Sequence, residues 1–421
     1  MNLKHRRPYG RVRPGYFVVP VLFVLAACGG HASDTHFALA TTATELLVFR
    51  DQGTWGAKSW SRLFGVNPAT AVLAGVTADR SYVYVADAST DGKLIVGRVA
   101  DILGTPTWVE VATVALQNTD GSKKVKSPTR LAADGNGGVY VIGAAQGGNS
   151  YFAHVKPTAG DWSVPIVSIG NIPDSIMADV AVGRSGASAI VAYSKDTPTA
   201  TRASHASKVV EDTVSSTNDL SPLCFNARAV AVQAALGVDG YAYVVNYNSD
   251  PTRARGSVRA VDVATGIPRG AQGIELVPDM IPEDVTGFAI GAEYYLGIIG
   301  HDAAQQRAMA WKVPLDGAND WTPSLAGVAS LQLPITTGHQ LAASSDGQVV
   351  WYVSETGTMG ALNAATWTEL GPPIPNGWFV GEGIRLENVA EYPPSLIPEP
   401  SSLACLAGLL ASGLALRKRR G

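Results

Sequence analysis

The sequence predicts an all-β protein built from about seven repeated four-stranded units, and three observations carry that prediction. Glycine (45 residues) and proline (25) make up about a sixth of the 421 residues, as expected of many short strands joined by tight turns. Trp60, Trp108, Trp162, Trp321 and Trp367 each begin a strand-like segment after a polar turn, at spacings of 48, 54, 159 and 46 residues. Between them runs a second series: "GVTADRSYVYVAD", "LAADGNGGVYVIG", "VAVGRSGASAIVAYS", "GVDGYAYVVNY", "FAIGAEYYLGII" and "LAASSDGQVVWYVS". Each of these is a small apolar strand, a turn, and then a run rich in Val, Ile and Tyr, the pattern of a hairpin with a buried second strand.

The two series alternate, so one unit of about 50 residues holds four strands. "SPTRLAAD", "GVYVIGA", "SYFAHVKP" and "WSVPIVSIG" illustrate the third unit. A near-continuous apolar second strand fits a sheet covered on both faces, which is the condition of a β-propeller blade between its neighbours. Tyr84, Tyr140, Tyr243 and Tyr295 recur at similar phase, and with the tryptophans they are expected to pack blade against blade. The long tryptophan interval equals three steps of 53, which places two units lacking the Trp near residues 215 and 268. Seven units result, although six or eight also fit the spacing. The first unit, "HFALATTATELLVFRDQGTWGAKSWSRLFG", holds only three strands, and "WFVGEGIRLENVAEY" is left over after the seventh Trp position. Residues 378–391 are therefore expected to supply the missing strand and close the ring.

Before the propeller, expected over residues 37–392, lies an export segment. Residues 1–27 have a basic start and an apolar stretch from Tyr16 to Ala27, too short for a comfortable membrane-spanning helix. Leu25, Ala26, Ala27 and Cys28 resemble the bacterial lipobox, which implies cleavage by a lipoprotein-type signal peptidase and lipidation of Cys28. Residues 28–36 would then be a tether, and the absence of Asp after the Cys implies an outer-membrane destination. An ordinary secretory signal cut nearer His31 or Ser33 is the alternative reading. Cys405 lies in the C-terminal apolar run, so Cys224 is the one cysteine of the body, expected to be a buried, inert thiol.

After the propeller, residues 393–400 form a Pro-rich linker ending in Pro398, Glu399 and Pro400. Residues 401–421 hold a short apolar run, Leu403 to Leu416, followed by Arg417, Lys418, Arg419 and Arg420. A basic tail behind a short apolar helix is held on the cytoplasmic side of a membrane, leaving an extended Pro-rich segment on the other. This order resembles the PEP-CTERM sorting signal of Gram-negative bacteria. The resemblance covers about the last 25 residues and implies an inner-membrane intermediate, cleavage near Pro398–Pro400 by an exosortase, and transfer to the cell surface, outer membrane or extracellular matrix. Members of this group usually begin with a plain secretory signal, so a lipobox at the other end departs from their pattern.

The formal charge of -3 conceals an asymmetry. Nine basic residues lie before Cys28 or after Leu416; without them and Glu399, 23 basic face 34 acidic residues, near -11. Such a body lacks the basic footprint that nucleic-acid binding requires. Catalytic signatures are also absent. The sialidase-like Ser-x-Asp-x-Gly-x-x-Trp box is approached only by "SSDGQVVW", with the wrong spacing, and "GRSGAS" around Ser185 lacks the GxSxG spacing. These and "ADGNGG" read as hairpin turns. No HxxxH, HExxH or CxxC occurs, so neither a metal nor a cofactor is expected. His154, His205, His301 and His339 fall in different units and could meet only across the channel. In "NYNSDPTRARG", Asn246, Asn248 and Asp250 read as a solvated loop rather than a calcium loop. Lys123, Lys124 and Lys126 read as a solvated surface.

The expected function is thus a non-enzymatic surface or matrix protein whose propeller binds polysaccharide or another envelope protein through its channel face. The alternative is a secreted glycan-acting enzyme with an acid and a base from separate blades. Two carboxylates beside an arginine in the channel would fit the enzyme, and a mixed polar rim would fit the binder.

Overall fold

The structure, a computed structural model, describes residues 36–394 except for 51–58, 68–71, 90, 197–201, 249–255, 271–272, 277–279, 303–306, 336–337, 355 and 375–385. These described residues belong to one compact unit, His36–Ile397. The hairpin series and the tryptophan series pair into seven antiparallel sheets. The fold is a seven-bladed β-propeller. Six sheets have four strands, and the sixth blade carries a fifth, Ala329–Gln332, beside its third strand.

The innermost strands, in blade order from one to seven, are Leu386–Glu391, Leu73–Ala78, Pro128–Ala133, Ser175–Val182, Ala227–Gln233, Met280–Ile290 and Gly338–Ala343. The first of these comes from the C-terminal end and pairs antiparallel with Phe37–Thr42, aligning Ala38 with Glu391 and Ala40 with Val389. Ring closure by the leftover segment is therefore as expected, through residues 386–391. Residues 378–385 lie outside the described residues.

Second strands are apolar because both their faces are covered. Val83–Asp87, Val139–Gly143 and Val349–Ser354 are buried along their whole length. Seven apolar clusters form, each between two adjacent blades, including one between the first and seventh. The outer-strand tryptophans serve these seams, each reaching the preceding blade. Trp108 meets Phe64 at 5.0 Å, Trp162 meets Tyr82 edge-on at 5.8 Å, and Trp367 stacks on Phe288 at 6.0 Å. Gly97 opens a seat in the third strand of blade 2, where a Cβ would fall inside the Trp108 ring.

The two units without Trp have outer strands at Thr213–Asp219, where expected, and Ile274–Glu275, six residues beyond the expected 268. Phase is corrected at one tyrosine. Tyr84, Tyr140 and Tyr243 stand opposite Thr77, Ala132 and Ala231, the same register in each blade. In blade 6 that register belongs to Gly297, with Tyr295 two residues earlier on the same face. Trp351 holds it in blade 7.

The turns between first and second strands interlock on one face of the ring, here the hairpin face. Asp79 Oδ2 accepts from the Gly137 amide of the next blade, at 2.8 Å. Asn136 Nδ2 donates to Ser185 O, and the Ser185 amide donates to Asp239 Oδ1. "ADGNGG", "GRSGAS" and "SSDGQ" are thus hairpin turns, and their glycines allow close approach. Gly186 and Gly347 have φ of +73° and +70°, and a Cβ on either would strike a carbonyl oxygen of the preceding blade's turn.

A chain ending at residue 385 leaves the inner edge of Phe37–Thr42 unpaired. It is expected to self-associate in light scattering and to lose its sharp thermal transition, and a peptide of residues 386–392 added in trans is expected to restore both.

Candidate functional site

Each innermost strand contains a one-residue bulge near its start. The register shifts after Leu73, Pro128, Met177, Ala227, Pro282 and Gly338, and at Leu386 in the closing strand. A bulge re-aims the side chains beside it. The ladder resumes at Gly75, Arg130, Asp179, Ala229, Asp284, Gln340 and Asn388, so equivalent positions recur around the ring. All seven innermost strands line a central cavity of about 290 Å³.

Three of these positions join one blade to the next. Asp179 Oδ2 accepts from the Val230 amide at 2.9 Å, Asp284 Oδ2 from the Leu341 amide at 2.8 Å, and Gln340 Oε1 from the Val389 amide at 3.3 Å. Innermost strands have a free edge towards the channel, and these acceptors satisfy amides that would otherwise face it unpaired. Arg130 approaches Asp179 with Nε 4.0 Å from Oδ1, and the same Oδ1 accepts from the Val180 amide at 2.8 Å.

Electrostatics in the channel favour carboxyl over carboxylate. Burial raises Asp179, against the opposing effects of Arg130 and the Val230 and Val180 amides. Burial likewise pushes Asp284 up to about 7, with Arg130 opposing and the neighbouring Asp179 charge adding to the rise. One guanidinium cannot neutralise two buried carboxylates. Glu391, at the far end of the channel, is also pushed up to about 7 by burial, although the Ser345 amide and hydroxyl bond to it.

At the other end, where the innermost strands begin, lies the channel mouth. The bulge residues Arg228 and Glu283 approach to 3.5 Å, His301 Nδ1 lies 3.9 Å from Glu283, and Arg228 covers the Tyr247 ring at 5.4 Å. All are part-exposed, which makes the mouth a mixed polar rim.

The other singled-out residues sit elsewhere. His154 bridges Asp134 and Glu211, at 3.0 Å from each, and stacks on Tyr140 at 4.1 Å; Lys156 also pairs with Glu211. Burial disfavours ionised Asp134, but bonds from His154 and the Gly138 and Asn136 amides outweigh it and hold the group below its ordinary range. This assembly ties the third blade to the turn of the fourth. His205 stacks on Tyr193, and His339 lies in the seventh innermost strand, so the four histidines do not meet. Among the described residues no three His, Cys, Asp or Glu side chains gather as metal ligands. Cys224 is fully buried, and burial lifts its thiol to about 11. Asn246 and Asn248 correct the solvated-loop expectation: both are buried, Asn246 inside the second strand of blade 5. Asp250 lies outside the described residues, as do Cys28, Pro398, Glu399, Pro400, Arg417, Lys418, Arg419 and Arg420.

Chemically, the channel does hold two aspartates beside an arginine. Asp284 has the protonation of a general acid at neutral pH. Asp179 is poorly suited as its nucleophile or base, because its own ionisation is disfavoured and both oxygens take backbone amides.

No protein-family model matches the chain, and no curated protein matches it. Among solved structures it is similar to a chain of "Crystal Structure of Mitotic Checkpoint Complex", with a TM-score of 0.52 and 12% identity over 78% of this chain and 87% of that one. A likeness at that identity bears on the fold alone.

The raised Asp284 contributes stability in full below about pH 4 and loses it as pH rises through 7. Asp284→Asn keeps an acceptor for the Leu341 amide and removes the charge. Its thermal midpoint is expected to match the parent at pH 5 and exceed it increasingly towards pH 8, as read by calorimetry across that range.

Proposed function

We propose that this chain is an exported protein sorted by an exosortase to the cell surface, outer membrane or extracellular matrix, where its propeller binds polysaccharide or an envelope protein without catalysing a reaction. The observation that carries the sorting half is the order of Pro398-Glu399-Pro400, the apolar run Leu403 to Leu416, and the four basic residues Arg417 to Arg420. A signal peptidase removes the N-terminal segment in this reading, with lipidation at Cys28 if the lipobox is used. The short apolar helix is a temporary membrane stop.

Support for the binding half comes from the channel. Its mouth is a mixed polar rim of Arg228, Glu283, His301 and Tyr247, and the deeper Asp179, Asp284 and Gln340 are committed to amides of adjacent blades. Rim groups of both signs, set on a rigid ring, suit hydrogen-bonding recognition of a polar polymer better than proton transfer. The specific observation on the side of an enzyme is the pairing of Asp179 and Asp284 beside Arg130.

Removing the exosortase is expected to leave a heavier, membrane-retained chain by mass spectrometry, and Pro398→Ala with Glu399→Ala is expected to do the same. Normal processing in either case overturns the sorting assignment. A palmitate analogue is expected to label the wild type and not Cys28→Ala; label surviving that change removes the lipobox reading.

For the binding reading, co-sedimentation of the purified body with the host's extracellular polysaccharide is expected to weaken about tenfold in Arg228→Ala with Glu283→Ala, with no release of reducing ends. Release of reducing ends that is lost in Asp284→Asn would favour the enzyme instead.

A further inference from the structure

The closing strand fixes where both ends of the chain leave the propeller. Because Leu386–Glu391 runs antiparallel to Phe37–Thr42, the start of one lies beside the end of the other. Ala38 is opposite Glu391, the Tyr392 amide donates to Phe37 O at 2.9 Å, and the two rings meet edge-on at 6.2 Å. This meeting point belongs to the hairpin face. Glu391 accepts from Ser345, and His36 pairs with Asp346 at 2.9 Å, both in the hairpin turn of blade 7.

We propose that the propeller stands on its membrane with the hairpin face inward, so that the mouth bearing Arg228, Glu283 and His301 is the surface presented to partners. This rests on the sorting reading, but either anchor alone is sufficient for it. Eight residue steps separate Cys28 from His36, and six separate Tyr392 from Pro398. Fully extended, these tethers reach about 29 Å and about 22 Å. To turn the mouth inward, the C-terminal tether would have to cross three strand spacings, about 14 Å, and then the height of a six-residue strand, about 20 Å. The N-terminal tether, starting one strand further out, would need about 30 Å. Each path exceeds its tether before any length is left to meet the membrane. The orientation therefore follows from chain length and from which face both ends occupy, and does not depend on membrane affinity of the propeller surface.

The same geometry gives the experiment two reporter sites. Val238, at the blade 5 turn, is 90% exposed on the hairpin face. Ala145 is exposed in the connection between the second and third strands of blade 3, on the mouth face. Cys224 is buried and provides a quiet background, with the unsubstituted chain as blank. In exosortase-deficient cells converted to spheroplasts, full-length Val238→Cys and Ala145→Cys chains are treated with a bulky, impermeant maleimide-polyethylene glycol.

Ala145→Cys is expected to label at least tenfold faster on the membrane, with the two rates converging in detergent. Equal rates, or faster labelling of Val238→Cys, in chains that fractionate with the membrane overturn the orientation and leave the anchors standing. A chain recovered in the soluble fraction overturns the anchor reading, and the orientation with it.

Discussion

A blade of this propeller cannot bury itself. Its four strands form a single sheet whose two apolar faces need cover, and only neighbouring blades provide it. The fold therefore stands on seven seams, and the seam between the first and last blades depends on pairing between segments more than 340 residues apart in sequence, Phe37–Thr42 and Leu386–Glu391. Closing such a loop costs conformational entropy that grows only slowly with length. The return is an apolar cluster built on Leu47, Trp351 and Leu386, together with removal of the first blade's open edge.

Three layers hold the seams at different radii. Outermost are the tryptophans, each lying over the preceding blade. On the hairpin face, polar turns interlock through Asp79, Asn136 and Asp239. Around the channel, Asp179, Asp284 and Gln340 each fasten the amide of the next innermost strand. The inner layer comes with an electrostatic cost, since burying two carboxylates beside one arginine disfavours their ionisation. That cost is tolerable because amides, which would themselves be costly unpaired, accept the partnership.

Much of the fold was legible in the sequence because its strongest signals are large side chains at a fixed period. Trp60, Trp108, Trp162 and Trp367 marked four seams directly, and the interval between Trp162 and Trp321 predicted two further blades. Tyr295 misled by two residues because several tyrosines on one strand face fill the same seam, so a tyrosine need not mark a fixed register. Asn246 misled because a polar residue in a polar stretch looks solvated, although here its amide is turned back on the Val244 carbonyl. The channel was missed for a different reason. Its signal is a small periodic tetrad, "GVTA", "RLAA", "DVAV", "AVAV", "DVTG", "QLAA" and "NVAE". The variable first residue of each tetrad is the one that meets the channel, and variation conceals a position from a search for repeats.

That tetrad bears on how such a ring acquires new specificity. Its second residue, always Val or Leu, belongs to the constant framework. The first is Gly, Arg, Asp, Ala, Asp, Gln or Asn, each set by the same bulge beside the axis. Seven interchangeable sites on an unvarying scaffold form a short alphabet written around a circle. Gly75 and Ala229 are blank letters in that alphabet, where a longer side chain could be introduced by a single codon change without disturbing the surrounding sheets.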